Sequence, residues 1–437
     1  MHYFFSFLEF FDNLLWSYLS LGTIIFSGLY FTIKSRFYQI KVLFNIKKHF
    51  KSLLIDSNKD TPGVHPIKLY FASLGGMIGI GNLVAAVATV TIGGPGSLVW
   101  LWLASFIGMI VKYCEIYLGI KYRKLNDKNG YDGGPVYYLK EAFGNRVIPV
   151  IFAILLCIYG AEVSQFLIIT DTFTNLFDVD RIVVILVLLA LVLLNALGGV
   201  NRLANICSFL LPPFLIIYII LAVYIFALNI EKIPALLLDI ISSAFTGYAP
   251  VGGFAGSTVL LAAHYGVSRA VYSGDIGIGY DATVLSESRT KYPEKQARMA
   301  IFALFIDTMI CTISIMIVLL TGVWKIDGGV KLSEYIILGI SSVVPYSEIF
   351  MSVMFFIAGF TTIIGYLVVG QKCAKFIHEK YGRIIYIIYA TLAFIFFSFH
   401  DQSTVMLIMS VSGGCLLICN LLGVFKLRNQ IKFPEND

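Results

Sequence analysis

Apolar stretches of membrane-spanning length recur along the whole chain, and they constrain its fold more strongly than any other feature. A transmembrane helix needs about 20 consecutive apolar residues, and FLLPPFLIIYIILAVYIFAL at 209–228 is one such run. The 437 residues are 58% apolar and only 13% charged. A membrane β-barrel would show short alternating segments instead. The sequence therefore predicts an all-α polytopic membrane protein.

Eleven membrane spans are predicted, and the seventh of them is interrupted. They cover 12–33, 68–92, 97–119, 147–170, 182–199, 205–228, 256–288, 298–323, 348–371, 384–399 and 403–425. Residues 231–255 and 325–347 contain too many turn signals to cross a membrane. We expect these two segments to form surface helices or re-entrant loops on the outer side.

Lys and Arg are distributed unevenly between the predicted loops. Basic residues are retained on the cytoplasmic side of short loops, and 26 of the 32 Lys and Arg lie in 34–68, 121–146, 289–298, 372–383 and 426–432 or at Arg202. This pattern predicts a multi-pass protein of the cell (inner) membrane, with the N-terminus outside, the C-terminus cytoplasmic and the first span retained. The net charge of +6 follows from this topology and requires no nucleic acid partner.

Several kinds of chemistry lack a signature in the sequence. The motifs GxxxxGK[ST], HExxH and GxSxG are absent from the 437 residues, which argues against nucleotide hydrolysis and against common hydrolytic enzymes. The seven Cys have no metal-ligand spacing and lie mostly in apolar segments, where they are typical small hydrophobic residues. We expect no enzyme and no organic cofactor, so that any work is driven by a gradient.

Two glycine-rich heptapeptides interrupt predicted spans. GMIGIGN at 76–82 and GDIGIGY at 274–280 are identical at five of seven positions, and the predicted topology gives them opposite directions. Glycine lets a helix unwind, and the peptide groups that are freed are tolerated in a membrane only around a ligand or a water cavity. The pattern predicts the discontinuous helices of an inverted-repeat transporter, with a binding site between them. Close helix packing is the alternative interpretation.

The repeat divides the chain into four predicted parts. They are an N-terminal helix with a basic linker (1–67), a first five-helix repeat (68–230), a second five-helix repeat with an outer re-entrant segment (231–425) and a cytoplasmic tail (426–437).

Further motifs are spread over nearly the whole chain. They are GIGN (79–82), GGPG (93–96), GGPVYY (133–138), GGFAG (252–256), YGVSRAVYSGDIGIG (265–279), FIDT (305–308) and GFTTIIGYLVVGQK (359–372). Together they resemble the alanine/glycine:cation (sodium:alanine) symporter family. The resemblance implies a LeuT-type fold of two inverted five-helix repeats with one additional N-terminal helix. It also implies import of small neutral amino acids such as alanine, glycine or serine, with Na+ as the coupling ion. Proton coupling and a non-transporting amino acid sensor stay open as alternatives.

The first interruption predicts the substrate contacts. The amides of Ile80 and Gly81 suit a substrate carboxylate, because fixed backbone dipoles hold an anion without burying a countercharge. The resemblance implies that the side-chain amide of Gln165 also contacts substrate. We expect further contacts at Met77, Tyr272, Ile276, Thr362 and Tyr366.

Sodium ligands are predicted around the same interruption. They are Gly75, Ile78, Asn82, Asp307, Thr361 and Thr362. An acid within a membrane span, such as Asp307, is by default functional, although a buried Lys or Arg could pair with it. The resemblance implies a sodium site between the two threonine hydroxyls and backbone carbonyls of the first broken helix. The alternatives are an interhelical hydrogen bond for Asn82 and bonds within their own helix for the hydroxyls.

Four positions depart from the family pattern that the motifs resemble. Glu162 replaces Asn, Gly274 and Asp275 replace Asn and Glu, and Tyr366 replaces Trp. Glu162 is expected either to titrate or to form a local ion pair, and Tyr366 to change the pocket wall.

Two more charged residues lie within a span. Lys112 and Glu115 are three residues apart on one helix face. We expect them to pair with each other or to snorkel to the cytoplasmic surface.

Overall fold

The computed structural model describes residues 2–55, 61–127, 129–247, 258–325, 332–400 and 402–434. Within these ranges the chain is almost entirely helical, with one two-stranded antiparallel sheet. The GGFAG motif at 252–256, the start of the seventh predicted span and parts of the two predicted surface segments lie outside the described residues.

The N-terminal part is one long helix with a wider turn in its middle. In chain order, α1 (His2–Leu14) continues through a π-helical stretch (Leu15–Ser20) into α2 (Leu21–Lys34), and α3 (Tyr38–Phe44) and α4 (Ile46–Ile55) follow.

The first predicted repeat contains nine helices and the small sheet in its described residues. These elements are α5 (Pro66–Met77), α6 (Ile80–Leu83), α7 (Ala85–Gly93), α8 (Ser97–Lys121), β1 (Lys124–Leu125), β2 (Tyr131–Asp132), α9 (Pro135–Phe143), α10 (Val147–Tyr159), α11 (Val163–Phe177), α12 (Arg181–Ala196) and α13 (Gly199–Leu228).

The second predicted repeat is helical throughout its described part. Its elements are α14 (Ile233–Thr246), α15 (Val259–Gly274), α16 (Tyr280–Leu285), α17 (Pro293–Thr321), α18 (Leu332–Ser341), α19 (Ser347–Ile377), α20 (Gly382–Phe397) and α21 (Gln402–Lys426). Short 3-10 turns lie at Ile230–Lys232, Val323–Lys325 and Arg428–Gln430.

The helices of the described residues correspond to the eleven predicted spans. Seven helical stretches are long and apolar enough to cross a membrane, and α5 to α7 form an eighth span that is bent by 58°. The shorter apolar helices α12 and α20 and the interrupted pair α15 and α16 account for the others. Helices α14 and α18 lie in the two segments predicted to be surface helices or re-entrant loops.

The third core span has an interruption that the sequence did not predict. Helix α10 ends at Tyr159, α11 begins at Val163, and Glu162 between them has a left-handed backbone with φ of 50°. This conformation is uncommon for a residue other than glycine, and strained backbone of this kind is concentrated at functional sites.

The centre of the molecule is formed by α8, α17 and α19. The apolar windows of α17 and α19 are 78% and 83% buried, whereas that of α13 is only 28% buried. Helix α8 packs along α15 and α17, and α5 packs on α13 and α19. Gly119 allows α8 to approach the second broken helix, because a Cβ atom there would lie 2.7 Å from the carbonyl oxygen of Ala282. The broken helices are therefore held between long, buried helices.

An ion-paired cluster lies at the ends of the core helices on the side predicted to be cytoplasmic. The Lys372 ammonium group at the end of α19 lies 3.1 Å from Asp132 Oδ1 in β2 and 2.6 Å from Glu287 Oε1 after α16. Lys375 Nζ lies 2.9 Å from Asp132 Oδ2. Burial raises the pKa of Asp132, but Lys372 and Lys375 outweigh this effect and leave it below the ordinary value. The cluster joins α19 to the segment after the second broken helix.

Replacement of Lys372 by Met should lower the local stability of the backbone around Val64 and Arg289. The backbone of Glu287 accepts a hydrogen bond from the Val64 amide at 2.8 Å, and the Arg289 amide donates to Val64 at 3.0 Å. Loss of the partly buried ion pairs should cost about 1 kcal/mol and speed hydrogen exchange at these amides about fivefold. Hydrogen–deuterium exchange mass spectrometry measures this rate. The control is Lys380→Met, at an exposed position, and equal exchange in the two variants would contradict the prediction.

Candidate functional site

The first helix break leaves two amides that side chains satisfy. Helix α5 ends at Met77, Gly79 is extended (φ −103°, ψ −172°), and the chain becomes helical again at Ile80. The Gly79 amide donates to Asn82 Oδ1 at 3.2 Å, and the Ile80 amide donates to Gln165 Oε1 of α11 at 3.1 Å. The predicted carboxylate donor at Ile80 is thus an available amide that faces a neutral side-chain oxygen.

Gly79 lies where two neighbouring helices approach the broken backbone. A Cβ atom at this position would be 2.6 Å from Gln165 Oε1 and 2.9 Å from Thr362 Oγ1. The glycine is needed for this close approach rather than for its backbone angles, because an extended φ suits any residue.

The two predicted threonine ligands behave differently. The Thr362 hydroxyl lies 2.9 Å from the Gly75 carbonyl oxygen of α5 and 3.0 Å from that of Ala358 in its own helix. Among the described residues, the Thr361 hydroxyl donates within α19, to Ile357 at 2.9 Å and Ala358 at 3.1 Å. Thr362 therefore reaches the first broken helix, whereas Thr361 makes the bonds of the alternative interpretation.

Asp307 connects the two broken helices. Its Oδ1 accepts a hydrogen bond from Asn82 Nδ2 at 2.6 Å, and its Oδ2 accepts one from Ser273 Oγ of α15 at 2.9 Å. The carboxylate is fully buried in α17, and Arg269 is close enough to interact with it electrostatically. Asn82 thus makes an interhelical hydrogen bond, and its carbonyl oxygen caps the Gly79 amide at the same time.

The second break is longer, and three of its residues have a left-handed backbone. Helix α15 ends at Gly274, and Asp275, Gly277 and Gly279 have φ of 50°, 77° and 99° before α16 begins at Tyr280. The Asp275 carboxylate accepts hydrogen bonds from the Tyr280 amide at 3.1 Å and the Asp281 amide at 2.8 Å. The side chain at the break therefore caps the following helix.

Side chains of α8 and α21 satisfy the rest of this break. Lys112 Nζ donates to the Gly274 carbonyl and lies 2.7 Å from Asp281 Oδ2. Glu115 Oε1 accepts from the Gly277 amide at 2.8 Å, and Asn420 Nδ2 donates to the Gly277 carbonyl at 2.9 Å. The expectation of bare peptide groups at both breaks is wrong for this one, because charged side chains of neighbouring helices occupy them.

The predicted roles of Lys112 and Glu115 are also wrong. Both side chains are almost fully buried, at 1% and 2% exposure, so neither snorkels to the surface. In the described part of the chain, Lys112 forms its ion pairs with Asp281 and Asp275 and not with Glu115. The three-residue spacing placed the two side chains on one face but did not make them partners.

The two breaks meet at Tyr280. Its ring lies against Gly76 of α5, and its hydroxyl donates to the Ala72 carbonyl at 2.8 Å. On its other side the ring stacks on Tyr366, with 4.6 Å between the centroids. The Tyr366 hydroxyl donates to Asp275 Oδ1 at 3.2 Å, which links α19 to the second break.

Aromatic rings form a cluster, the aromatic wall, between α10, α15 and α19. The Tyr159 ring lies 5.5 Å from Tyr366 and 6.4 Å from Tyr272, centroid to centroid. Trp16, in the π-helical turn of the N-terminal helix, lies 4.6 Å from Tyr272, whose hydroxyl donates to Ser410 at 2.8 Å. The additional N-terminal helix therefore supports a predicted substrate residue directly.

Two charged residues flank the first break. Glu162 is 4% exposed, and its Oε2 accepts a hydrogen bond from Gln165 Nε2 at 2.9 Å. The Arg269 guanidinium lies against Gly81, where a Cβ atom would be 3.0 Å from its nearest nitrogen. Arg269 attracts Glu162 electrostatically, and its buried Nε has no hydrogen-bond partner among the described residues.

Most predicted site residues lie around the first break, but Ile276 does not. Its side chain packs against Gly108 of α8. Met77 contributes its carbonyl, which accepts the Gly79 amide at 3.0 Å, and Ile78 is fully buried between the helical segments. Sequence reasoning missed Ser273 and Asp281 and gave no role to Arg269. The rule that intramembrane charge is functional by default identifies Asp281 and Arg269.

Comparison of the sequence and comparison of the structure with known proteins both find membrane transporters. The sequence profile of the sodium:alanine symporter family matches residues 1–434. An uncharacterized transporter of Haemophilus influenzae is 31% identical over 442 residues, covering 98% of this chain and 94% of that protein. The sodium/alanine symporter AgcS of Methanococcus maripaludis is 25% identical over 435 residues, covering 96% and 94%. The crystal structure of MhsT in complex with L-phenylalanine matches with a TM-score of 0.56 and 15% identity, over 82% of this chain and 89% of MhsT.

The fold with its broken helices is that of LeuT-type secondary transporters, with inverted five-helix repeats and an additional N-terminal helix. The chain belongs to the sodium:alanine symporter family. The resemblance drawn from the motifs is thereby confirmed, and so is the expectation that the protein is a transporter and not an enzyme.

Gly79→Ala should impair the site without unfolding the protein. The added methyl group must displace Gln165 or Thr362, and overpacking of this kind costs about 1–3 kcal/mol of stability. Because both side chains are predicted site residues, we expect substrate affinity to fall roughly tenfold, which corresponds to about 1.4 kcal/mol. The matched control is Gly22→Ala in α2, where nothing lies within 4 Å of the new methyl group. Substrate affinity and thermal stability are measured on both purified variants. Equal affinities in the two variants would contradict the assignment of Gly79 to the site.

Proposed function

We propose that this protein imports small neutral amino acids together with Na+ by alternating access, from a site at the first helix break. The observation that carries the proposal is the Ile80 amide, which donates to Gln165 Oε1 at the break. A carboxylate is a stronger acceptor than a neutral amide oxygen. A substrate carboxylate would therefore replace the Gln165 oxygen at this amide, and Gln165 would turn to the rest of the ligand.

The charges around the break favour a zwitterion with an uncharged side chain. Glu162 and Arg269 offset one another, so neither an acidic nor a basic side chain finds an unopposed partner. We assign the aromatic wall of Tyr159, Tyr272 and Tyr366 to the substrate pocket, where three large rings would favour a small side chain. The name of the relative AgcS, a sodium/alanine symporter, agrees with this substrate class.

Na+ is a hard cation that binds through several oxygen atoms. We assign one sodium position to the Thr362 hydroxyl and the Gly75 carbonyl, which already lie 2.9 Å apart, with Ile78 and Thr361 as further ligands. Asp307 and Asn82 form a second candidate position, where a cation would neutralise the buried carboxylate.

The direction of transport follows from the gradient of the coupling ion. In the predicted inner membrane, the membrane potential drives Na+ inward, and a coupled substrate therefore also moves inward. One Na+ crossing a potential of 100 mV contributes about 2.3 kcal/mol, which concentrates a substrate roughly 50-fold.

Uptake into proteoliposomes tests the proposal. Labelled alanine, glycine, serine and glutamine should accumulate under an inward Na+ gradient, by about tenfold or more over an equal K+ gradient because of the energy of the ion. Alanine should exceed glutamine if the aromatic wall limits size. Accumulation driven by a pH jump without Na+ would replace sodium coupling by proton coupling. Substrate binding without counterflow would instead identify a sensor.

The two threonines allow a matched test of the sodium site. Thr362→Val removes the hydroxyl that reaches Gly75, and should raise the Na+ concentration for half-maximal uptake about tenfold, the effect of roughly 1.4 kcal/mol. Thr361→Val, its neighbour on the same helix, should have a clearly smaller effect, and Thr362→Ser should restore the wild-type value. The sodium dependence of initial uptake rates measures all three. An equal shift in the two valine variants would contradict the assignment.

A further inference from the structure

Glu162 is a buried acid whose charge has little compensation within the protein. The residue is 4% exposed, and its Oε2 accepts a hydrogen bond from Gln165 Nε2 at 2.9 Å. In the described part of the chain, this neutral donor supplies the hydrogen bonding of the carboxylate, and no basic group lies within 4.0 Å of it. Arg269 attracts it from farther away. A buried carboxylate in such surroundings is unfavourable without a cationic partner.

The other buried acids of the described residues are better compensated. Each of them has either an ion pair with a lysine or hydrogen bonds at both carboxylate oxygens. They are Glu115, Asp275, Asp281, Glu287 and Asp307. Glu162 therefore differs from all of them in lacking both kinds of partner.

One side-chain amide connects Glu162 to the first helix break. Gln165 Oε1 accepts a hydrogen bond from the Ile80 amide at 3.1 Å, and Gln165 Nε2 donates to Glu162. The amide thus turns an acceptor towards a backbone donor and a donor towards a carboxylate. An α-amino acid zwitterion carries the same two functions on adjacent carbon atoms, as a carboxylate and an ammonium group. The bridging amide marks a place for both ends of such a ligand.

The break in the third core span places Glu162 beside the aromatic wall. The residue has a left-handed backbone, with φ of 50° and ψ of 38°, which is uncommon outside glycine and concentrated at functional sites. Tyr159 ends α10 just before this turn. Glu162 interacts electrostatically with Tyr159 and with Tyr366, two members of the wall. The carboxylate, the wall and the Ile80 amide therefore surround one region.

We propose that Glu162 binds the α-ammonium group of the substrate and makes the site selective for ligands with a positively charged amine. The inference rests on the proposed function, in which the substrate carboxylate binds the Ile80 amide. The ammonium group would then take the place of Gln165 Nε2 at Glu162, while the Gln165 side chain turns away. The ligand and the protein would neutralise each other's charges, and no proton or covalent bond is transferred.

An ammonium group suits this carboxylate better than Na+ does. Na+ needs several oxygen ligands, whereas the neighbour of Glu162 presents an N–H donor, which repels a metal ion. The alternative interpretation is that Glu162 only fixes the orientation of Gln165. Its loss would then weaken every ligand of the Ile80 amide equally, whether or not the ligand carries an ammonium group.

Ligand binding to the purified full-length protein separates these interpretations. L-alanine and L-lactate share a carboxylate and a methyl group, but lactate has a neutral hydroxyl in place of the ammonium. Displacement of labelled alanine at a fixed Na+ concentration measures both affinities. The wild-type protein should prefer alanine by about tenfold or more, the effect of a hydrogen bond between charged groups. Glu162→Gln should lose most of this preference. The matched control Glu141→Gln, at an exposed position of α9, should keep it.

The preference for alanine is the quantity that decides. An equal loss of alanine and lactate affinity in Glu162→Gln, or an unchanged preference, would overturn the proposal. Glu162→Asp keeps the charge on a shorter side chain and should keep part of the preference. Absence of alanine binding in the wild-type protein would instead refute the proposed function, and this inference with it.

Infrared spectroscopy observes the carboxylate itself and does not depend on lactate binding. The difference spectrum between alanine-bound and free wild-type protein should contain a changed carboxylate stretching band. Alanine with an isotopically labelled carboxylate displaces the ligand's own band. The change should be absent in Glu162→Gln, shifted in Glu162→Asp and unaltered in Glu141→Gln. A wild-type spectrum without this change, or the same change in Glu162→Gln, would overturn the proposal.

Discussion

Every peptide group that a broken helix releases inside a membrane must find a polar partner, and this requirement organises the centre of the protein. At the first break the partners are the neutral side chains of Asn82, Gln165 and Thr362. Neutral hydrogen bonds contribute only about 1 kcal/mol each, so a ligand can take their place. In the proposed transport cycle, a ligand would exchange with these internal partners.

The peptide groups of the second break find their partners in a different way, although its sequence repeats the first. Lys112 and Glu115 bind its backbone directly, and the removal of one member of a buried ion pair costs about 3–5 kcal/mol. This break is thus held firmly by α8, while the first is held by side chains that can rotate away. The two halves share a pattern of glycines but differ in what holds the broken backbone: neutral side chains at the first break and buried charged side chains at the second.

Much of this arrangement follows from the sequence. The spans could be predicted from apolar length, and the two breaks from a glycine pattern that recurs in both halves. Asn82 and Asp307 are both predicted sodium ligands around the first break, and they do meet there. The position of Ile276 could not, since left-handed residues at the break rotate the chain out of helical register. The pairing of Lys112 with Asp281 could not either, because neighbours within one helix are visible in the sequence and partners on different helices are not.

Tyr280 is the flat element at the centre of the molecule, with Gly76 of α5 on one side and Gly365 of α19 on the other. Its hydroxyl is also tied to the Ala72 carbonyl of α5. The thickness of one ring therefore sets how closely the first broken helix and α19 approach the second, and a methyl group on either glycine would force these helices apart.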